Sequence, residues 1–307
     1  MISLRLFFLK KVLDIFSQEG NVITLIDIGA QGGLEPRWIG IEKYLNYCGV
    51  EPDSRSSTLL SGKGNKFSSY HIIPFALWST SLRLTINLCR QPSASSVFKP
   101  NRDFLNKFPN ASRFDIQSEV LVEAKALDEV FEGDADFLKI DTQGAELEII
   151  KGSVKHLNSC MGLEVEVQFH KIYKEEPLFH DVSTYLESQN FQFIDFIHLK
   201  RWGRGKLDNR GQLIFADALF LRSPEFILQQ NSVHSCEKYI AICLIYNRFD
   251  LVHVILKSEI GVNKISSKAK KYIRMLENFY NLTFLMTRSI SNLQRRVHFN
   301  YRSHFLY

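Results

Sequence analysis

The sequence is poor in cysteine, with five in 307 residues (Cys48, Cys89, Cys160, Cys236 and Cys243). The number is odd, the residues are scattered and none forms a C-x-x-C pair. This pattern argues against a disulfide framework and a structural zinc site, which suits a reducing, cytoplasmic compartment. Long apolar runs are also missing: no stretch approaches the ~18 residues needed to span a bilayer. The opening segment Ile2 to Phe16 is apolar but broken by Arg5, Lys10, Lys11 and Asp14, and it lacks a small-residue cleavage site. It reads as an amphipathic helix rather than a secretion signal, either packed on the domain or lying on a membrane surface. Acid is nearly absent from the C-terminal end. From Ile260 to Tyr307 nine lysines and arginines face the single acid Glu277, so this stretch carries +8 and residues 1–259 carry −3.

What is present is ordinary globular composition, 45% hydrophobic and 23% charged. The length allows one large domain, or one domain plus an appendage. From Val22 to about Phe196 short apolar runs alternate with helical patterns. Val22–Asp27, Tyr47–Val50, His71–Leu77, Phe137–Asp141, Met161–Phe169, Phe191–Phe196 and Leu213–Leu221 read as strands. Pro36 suits the first turn of a helix carrying Trp38, Ile39, Tyr44 and Leu45. Further helices are expected over Ala145–Lys151 and Val182–Gln189. This alternation predicts an α/β fold with a mostly parallel central sheet and helices on both faces. The stretch from Leu82 to about Ala124 breaks the alternation and reads as a strand-rich insertion around the loop Gln91–Asn101. Beyond Arg222 the pattern is helical, over Tyr239–Leu256 and Lys268–Phe284.

The strongest local signal is Asp27-Ile-Gly29-Ala30-Gln31-Gly32-Gly33, between a strand and the next helical pattern. Glycines there permit a tight turn and close approach of a ligand to the backbone. Eighteen residues beyond Gly33, Glu51 ends the second strand, where a carboxylate can accept both hydrogen bonds of a ribose diol. A dinucleotide site would want a glycine in place of Gln31 and an apolar residue in place of Asp27. A carboxylate before the first glycine instead suits the methionine ammonium of S-adenosylmethionine. The second signal runs from Asp136 to Gly152. Lys139 and Asp141 close a buried strand and Gln143, Gly144 and Glu146 follow, a set of charges that is costly unless they meet partners at a site. On the fifth strand Glu164, Glu166, Gln168 and His170 alternate with apolar residues, where both faces would normally be apolar. That stripe suggests a wet cavity, with His170 nearest the reacting end and able to accept a proton. Asp141, Glu166 and His170 also have the donor chemistry for Mg²⁺ or Mn²⁺, although no metal is part of the reading.

The motifs D-I-G-A-Q-G-G, V-E-P-D (Val50 to Asp53) and L-K-I-D-T-Q-G-A-E-L-E-I-I-K-G together resemble the FkbM-type methyltransferases, over about Leu25 to Arg222. Weaker echoes are Leu127-Asp128, Ser95-Ser96 with Pro100-Asn101, and Ala216 to Arg222. The resemblance implies a Rossmann-like class I fold and S-adenosyl-L-methionine as cofactor. Asp27, Gly29, Ala30, Gln31, Gly33, Glu51 and Ala76 would then line the cofactor, and Asp141, Gln143, Glu166 and His170 the catalytic side. Trp78, just after Ala76, is placed where adenine usually packs. Gln143 stands where many members of the family have Glu; it can orient a hydroxyl but cannot act as a base.

The expected organisation is an N-terminal helix (1–20), a methyltransferase domain (21–225) and a basic helical appendage (226–307). The expected reaction is methyl transfer to a hydroxyl of a sugar, glycan or small natural product. The alternatives are a nucleic-acid methyltransferase and a non-catalytic binding module. An acidic core and the lack of an N-P-P-Y-type motif argue against nucleic acid. The basic tail suits anionic membrane at the inner face or a lipid-linked glycan, or is a solvated helical face with no binding role.

Overall fold

Ile23–Ile28 holds four apolar residues, one threonine and one acid, and all but Thr24 are buried, as befits a strand covered on both faces. In the computed structural model, which describes residues 2–52, 64–205 and 211–283, this strand sits near the middle of a seven-stranded sheet. The elements in chain order are α1 (Ile2–Gln18), β1 (Ile23–Ile28), β2 (Leu45–Val50), β3 (Ser69–Ile73), β4 (Ala76–Leu77), β5 (Leu82–Cys89), α2 (Arg102–Leu105), β6 (Ile116–Lys125), α3 (Leu127–Val130), β7 (Phe137–Ile140), α4 (Glu146–Lys151), α5 (Val154–Ser159), β8 (Gly162–Gln168), α6 (Phe179–Ser188), β9 (Gln192–Trp202), β10 (Gln212–Leu221), α7 (Pro224–Gln229), α8 (Val233–Ile245), α9 (Phe249–Lys257) and α10 (Glu259–Asn263). Backbone over 267–283 is helical as well.

The large sheet has the order β3-β2-β1-β7-β8-β10-β9. The contacts from β3 through β8 are all parallel, and β10 runs antiparallel to both β8 and β9. This is the doubly wound order, reversing at β1/β7, with one antiparallel strand inserted near an edge. The mostly parallel α/β fold expected from the sequence is the fold observed. Its core joins Ile26, Ile28, Leu138, Ile140, Leu163 and Val165 of the strands to Ile149, Ile150, Val182 and Leu186 of the helices.

Three local expectations are corrected. The segment after the glycine turn is not an α-helix: residues 36–40 form turns and Glu42–Tyr44 a single 3-10 turn. Gly40 takes φ +90° and Leu45 already belongs to β2, so too little chain is left for a helix. His71–Leu77 is two strands, because Pro74 lies between β3 and a short β4 that joins a different sheet. That second sheet, β4-β6-β5, is the strand-rich insertion. The pattern Tyr239–Leu256 is two helices, broken at Asn247, which adopts φ +58°.

The chain divides into two units, Val22–Gln230 and the two ends, Met1–Asn21 with Asn231–Tyr307. In the second unit Leu9, Val12, Leu13 and Phe16 form the buried stripe of α1, at helical spacing, and α1 packs against α8. Arg5 donates to the carbonyl of Ile245 (2.9 Å), satisfying the C-terminus of α8. Ile260, Ile265, Ala269, Ile273 and Leu276 are buried too, so the first half of the basic segment contributes to a core. Arg288, Arg295, Arg296 and Arg302 lie outside the described residues, as do Phe284, Asp53, Phe299 and Tyr301. Among the described residues no helix is long and apolar enough to cross a membrane.

Candidate active site at the carboxyl ends of β1, β7 and β8

Gly29 follows β1 with φ +84° and Gly33 has φ +78°, a region that side-chain-bearing residues avoid. Between them Ala30–Gly32 makes one 3-10 turn, with Ala30 buried and Gln31 exposed. Gly29 donates to the carbonyl of Val50 (3.1 Å), and Asp141 donates to that of Ile28 (3.0 Å). A Cβ built on Gly29 would lie 1.9 Å from the Asp141 carbonyl oxygen. The turn after β1 and the loop after β7 are thus in backbone contact, and glycine is what permits it. Glu51, buried, follows β2 beside this turn, its amide bonded to the Ile73 carbonyl (3.1 Å). Ala76 sits farther along, paired with Ala124 in the second sheet. Trp78 comes next, its ring centroid 6.2 Å from that of Phe98.

A row of polar side chains crosses the sheet on one level, because register aligns Gly49, Asp27, Lys139 and Glu164. Asp27 Oδ2 accepts from the Tyr47 hydroxyl (2.9 Å), and Lys139 Nζ stands 3.7 Å from Oδ1 and 3.4 Å from Asp141 Oδ2. A side chain on Gly49 would crowd the Tyr47 ring and hydroxyl, so the glycine keeps open the path from Tyr47 to Asp27. Burial pushes the Asp27 carboxyl up to about 6, against the opposing pull of Lys139. Burial alone would lower the Lys139 ammonium, but Asp27 and Asp141 more than offset it and its pKa rises.

Beyond Lys139 the stripe on β8 is not a wet cavity. Glu164 takes a two-point ion pair from Arg37 (both 3.2 Å), the geometry that suits a guanidinium and a carboxylate. Glu166 Oε1 accepts from Gln143 Nε2 (3.2 Å) and Gln168 Nε2 (3.0 Å). Gln143 Nε2 also reaches Asp141 Oδ1 (3.4 Å). Burial, then the charges of Asp141, Glu146 and Asp217, hold the Glu166 carboxyl well above the usual range. Burial likewise raises Glu146 to about 7 and Asp217 to about 7. Glu146 Oε1 accepts from the Thr142 amide (2.8 Å), the Thr142 hydroxyl (3.2 Å) and the Gly144 amide (3.1 Å). This explains the glutamate in the motif: it ties down the loop that presents Asp141 and Gln143.

The structure therefore brings Asp141, Gln143 and Glu166 together, next to the turn of Asp27, Gly29, Ala30 and Gln31. His170 stands apart. Two residues beyond β8, it stacks on Phe104 (5.4 Å between centroids) and meets Gln212 (2.8 Å). No hydrogen bond or ion pair joins it to Asp141, Gln143 or Glu166 among the described residues. Nor, among them, does any group of three His, Cys, Asp or Glu side chains form a metal site. Sequence reasoning missed Tyr47, Arg37 and Tyr173, whose hydroxyl lies 3.3 Å from Gln143 Oε1. Tyr47 had a signal in the glycine two residues later on the same strand face; Arg37 and Tyr173 had none.

A family model described as the Methyltransferase FkbM domain matches residues 39–193, half of the chain. The match contains Glu51, Asp141, Gln143, Glu166 and His170 and begins after the glycine turn. Among solved structures the chain is similar to the methyltransferase FkbM from Methylobacillus flagellatus KT, with 16% identity and a TM-score of 0.40 over 66% of this chain and 44% of that one. It therefore spans less than half the length of that relative. It is also similar to magnesium protoporphyrin IX methyltransferase from Synechocystis PCC 6803 with bound SAM (10% identity, TM-score 0.35, 71% and 79% covered). A third is the Burkholderia thailandensis 1,6-didemethyltoxoflavin-N1-methyltransferase with bound S-adenosylhomocysteine (12%, 0.32, 70% and 78%). No curated protein matches the chain in sequence. On the extent of the family match, the chain belongs to the FkbM methyltransferase family.

Proposed function

We propose that the protein is an S-adenosylmethionine-dependent methyltransferase that methylates a hydroxyl oxygen of a sugar, glycan or small natural product. The observation that carries this reading is the backbone contact of Gly29 with Asp141, which sets a ligand-binding turn beside a carboxylate at adjacent strand ends. The residues on the cofactor side fit the group. Gly29 and Gly33 leave the turn without side chains, and Asp27 Oδ1 is buried without a hydrogen-bond partner, which suits an ammonium reached directly or through water. Glu51, ending the next strand, suits a ribose diol.

The cofactor supplies an already activated methyl group. The chain's task is then alignment of the nucleophile and exclusion of water. Asp141, its side chain 36% exposed, is the accessible carboxylate of the cluster, and it can accept the proton of an acceptor hydroxyl. The Gln143 amide, which donates to Asp141 and to Glu166, holds that carboxylate in place. A carboxylate at Asp141 disfavours an anionic acceptor near the reacting atom, which fits an uncharged polyhydroxyl compound. A cytoplasmic enzyme working at the inner membrane face is the setting proposed for the basic tail.

Calorimetry with S-adenosylmethionine, S-adenosylhomocysteine and NAD tests the reading. Heat with the first two and none with NAD is expected, and the reverse pattern overturns it. Glu51→Ala should weaken binding by about 1–3 kcal/mol, the scale of a lost charge-assisted bond. Mass spectrometry of glycans and metabolites from cells with and without the protein would identify the acceptor.

A further inference from the structure

Gln143 is held in a conformation it would not choose. Its φ is +58° and that of Gly144 is +105°, so a non-glycine residue sits in the left-handed region at the centre of the site, where strain persists only if the surroundings impose it. The amides on either side, of Thr142 and Gly144, are bound by Glu146. The carbonyl between them is held from elsewhere: the Ser96 hydroxyl donates to Gln143 O at 2.6 Å.

Ser96 belongs to the insertion, not to the sheet that carries the site. It is 3% exposed, and its oxygen also accepts from the Phe98 amide (3.0 Å). Its backbone is fixed in turn. The Asn87 amide donates to Ser96 O at 2.8 Å and the Asn87 side chain donates at 3.0 Å, from near the end of strand β5. Two residues earlier the Ala94 carbonyl accepts from the Tyr173 hydroxyl (2.9 Å), which also lies 3.3 Å from Gln143 Oε1. Residues 99–101 are tied to 172–174 by the Pro100–Tyr173 bridge. The insertion is thus fastened to the strand-end loops on both sides of Gln143, and Ser96 is the point where it grips the backbone.

We propose that Ser96 is a positioning residue: by binding the Gln143 carbonyl it holds the 142–144 loop in its left-handed bend and sets the Gln143 amide between Asp141 and Glu166. The amide donates to both carboxylates and lowers their mutual repulsion, so its placement governs how readily Glu166 binds a proton. The insertion thereby sets the electrostatics of the acceptor side without touching the acceptor. The functional meaning rests on the methyltransferase reading; the physical coupling does not.

The test reads one carboxyl group. In the full chain with ¹³C-labelled glutamate, the side-chain carboxyl resonance of Glu166, assigned with Glu166→Gln, is followed against pH. The groups facing it are Asp141, Glu146 and Asp217, and the cation Lys139. Gln143→Ala removes the shielding amide and should move the midpoint upward by about one unit, tenfold in proton affinity. Ser96→Ala should move it in the same direction by about half a unit or more, and Ser96→Thr, which keeps the hydroxyl, should restore it. A variant that only loosened the fold would not move one carboxyl and be rescued by threonine. Should Ser96→Ala not fold, Ser96→Cys, near in shape and a weaker donor, serves with the same expected direction. The proposal is overturned if Gln143→Ala moves the midpoint and neither Ser96 variant does, or if Gln143→Ala itself leaves it in place. The titration needs neither cofactor nor acceptor. If wild-type protein fails to bind S-adenosylmethionine in calorimetry, the methyltransferase reading falls and the titration still decides Ser96.

Discussion

Gly29 and Asp141 meet backbone to backbone, and that contact joins the two halves of the site. Gly29→Ala must strain a φ of +84° and also push the loop after β7 away. The expected result is a folded but weakened protein, destabilised by about 2–4 kcal/mol, the range for a steric conflict at a special backbone position. Binding of S-adenosylmethionine should be lost. Thermal unfolding and calorimetry on the same sample check both, and full affinity would show that the turn does not shape the cofactor site.

Glu176 gives a prediction about pH. It is buried, its Oε1 accepts from the Tyr173 amide (2.9 Å) and its Oε2 has no hydrogen-bond partner. Burial pushes its carboxyl from 4.5 up to about 8. Between those values the folded state binds the proton and the unfolded state does not, so stability is lost as pH rises from about 4.5 through 8. Glu176→Gln removes the titration while keeping the carbonyl oxygen. It should therefore be more stable than wild type at pH 9, by about 1–3 kcal/mol, with a smaller difference at pH 5. Urea unfolding at the two pH values measures this, and equal differences at both would refute the buried-acid account.

The parallel sheet was legible because its apolar runs are short, the first of them rich in β-branched residues, and because helical patterns recur between them. Asp27, Gly29, Asp141 and Gln143 were legible for a related reason. A charge or a glycine run at the end of an apolar strand has no structural excuse, so each residue stood out locally. What sequence could not supply was pairing at long range. Tyr47 with Asp27, Arg37 with Glu164 and Ser96 with Gln143 depend on which strand ends lie side by side. The same lack misplaced the polar stripe of β8. Read alone, Glu164 and Glu166 need water; in the fold Arg37 and two amides satisfy them. The expected helix after Pro36 failed for a local reason, since its apolar spacing was right but Gly40 and the start of β2 left no room.

Asp141 and His170 should separate in kinetics. Asp141→Asn keeps size and removes the charge that faces Lys139 and the Gln143 amide. With the acceptor in hand it should lower kcat by about 10²-fold or more, the usual share of a positioned acid–base group, with cofactor affinity changed much less. His170→Ala loses a ring stacked on Phe104 and a contact with Gln212, and kcat should fall less than threefold. An equal fall in both variants would bring His170 into the reaction.

The tail yields the last prediction, and the structure decides where to cut. A truncation after Glu259 would remove Ile260, Ile265, Ala269, Ile273 and Leu276, all buried, so loss of binding could not be told from unfolding. A truncation after Thr283 spares them and deletes residues 284–307, which hold four arginines and no acid. If those arginines tether the protein to anionic surfaces, wild type should bind phosphatidylserine-rich vesicles and release them steeply as salt rises, because exposed charges are screened beyond ~10 Å at 0.1 M. The shortened chain should bind vesicles at least tenfold more weakly, about 1.4 kcal/mol, with unchanged cofactor affinity and unfolding midpoint. Vesicle binding that survives the cut would move the tether to Lys264, Lys268, Lys270, Lys271 and Arg274. Wild-type protein that ignores the vesicles at low salt would end the membrane proposal, leaving the arginines as a solvated face.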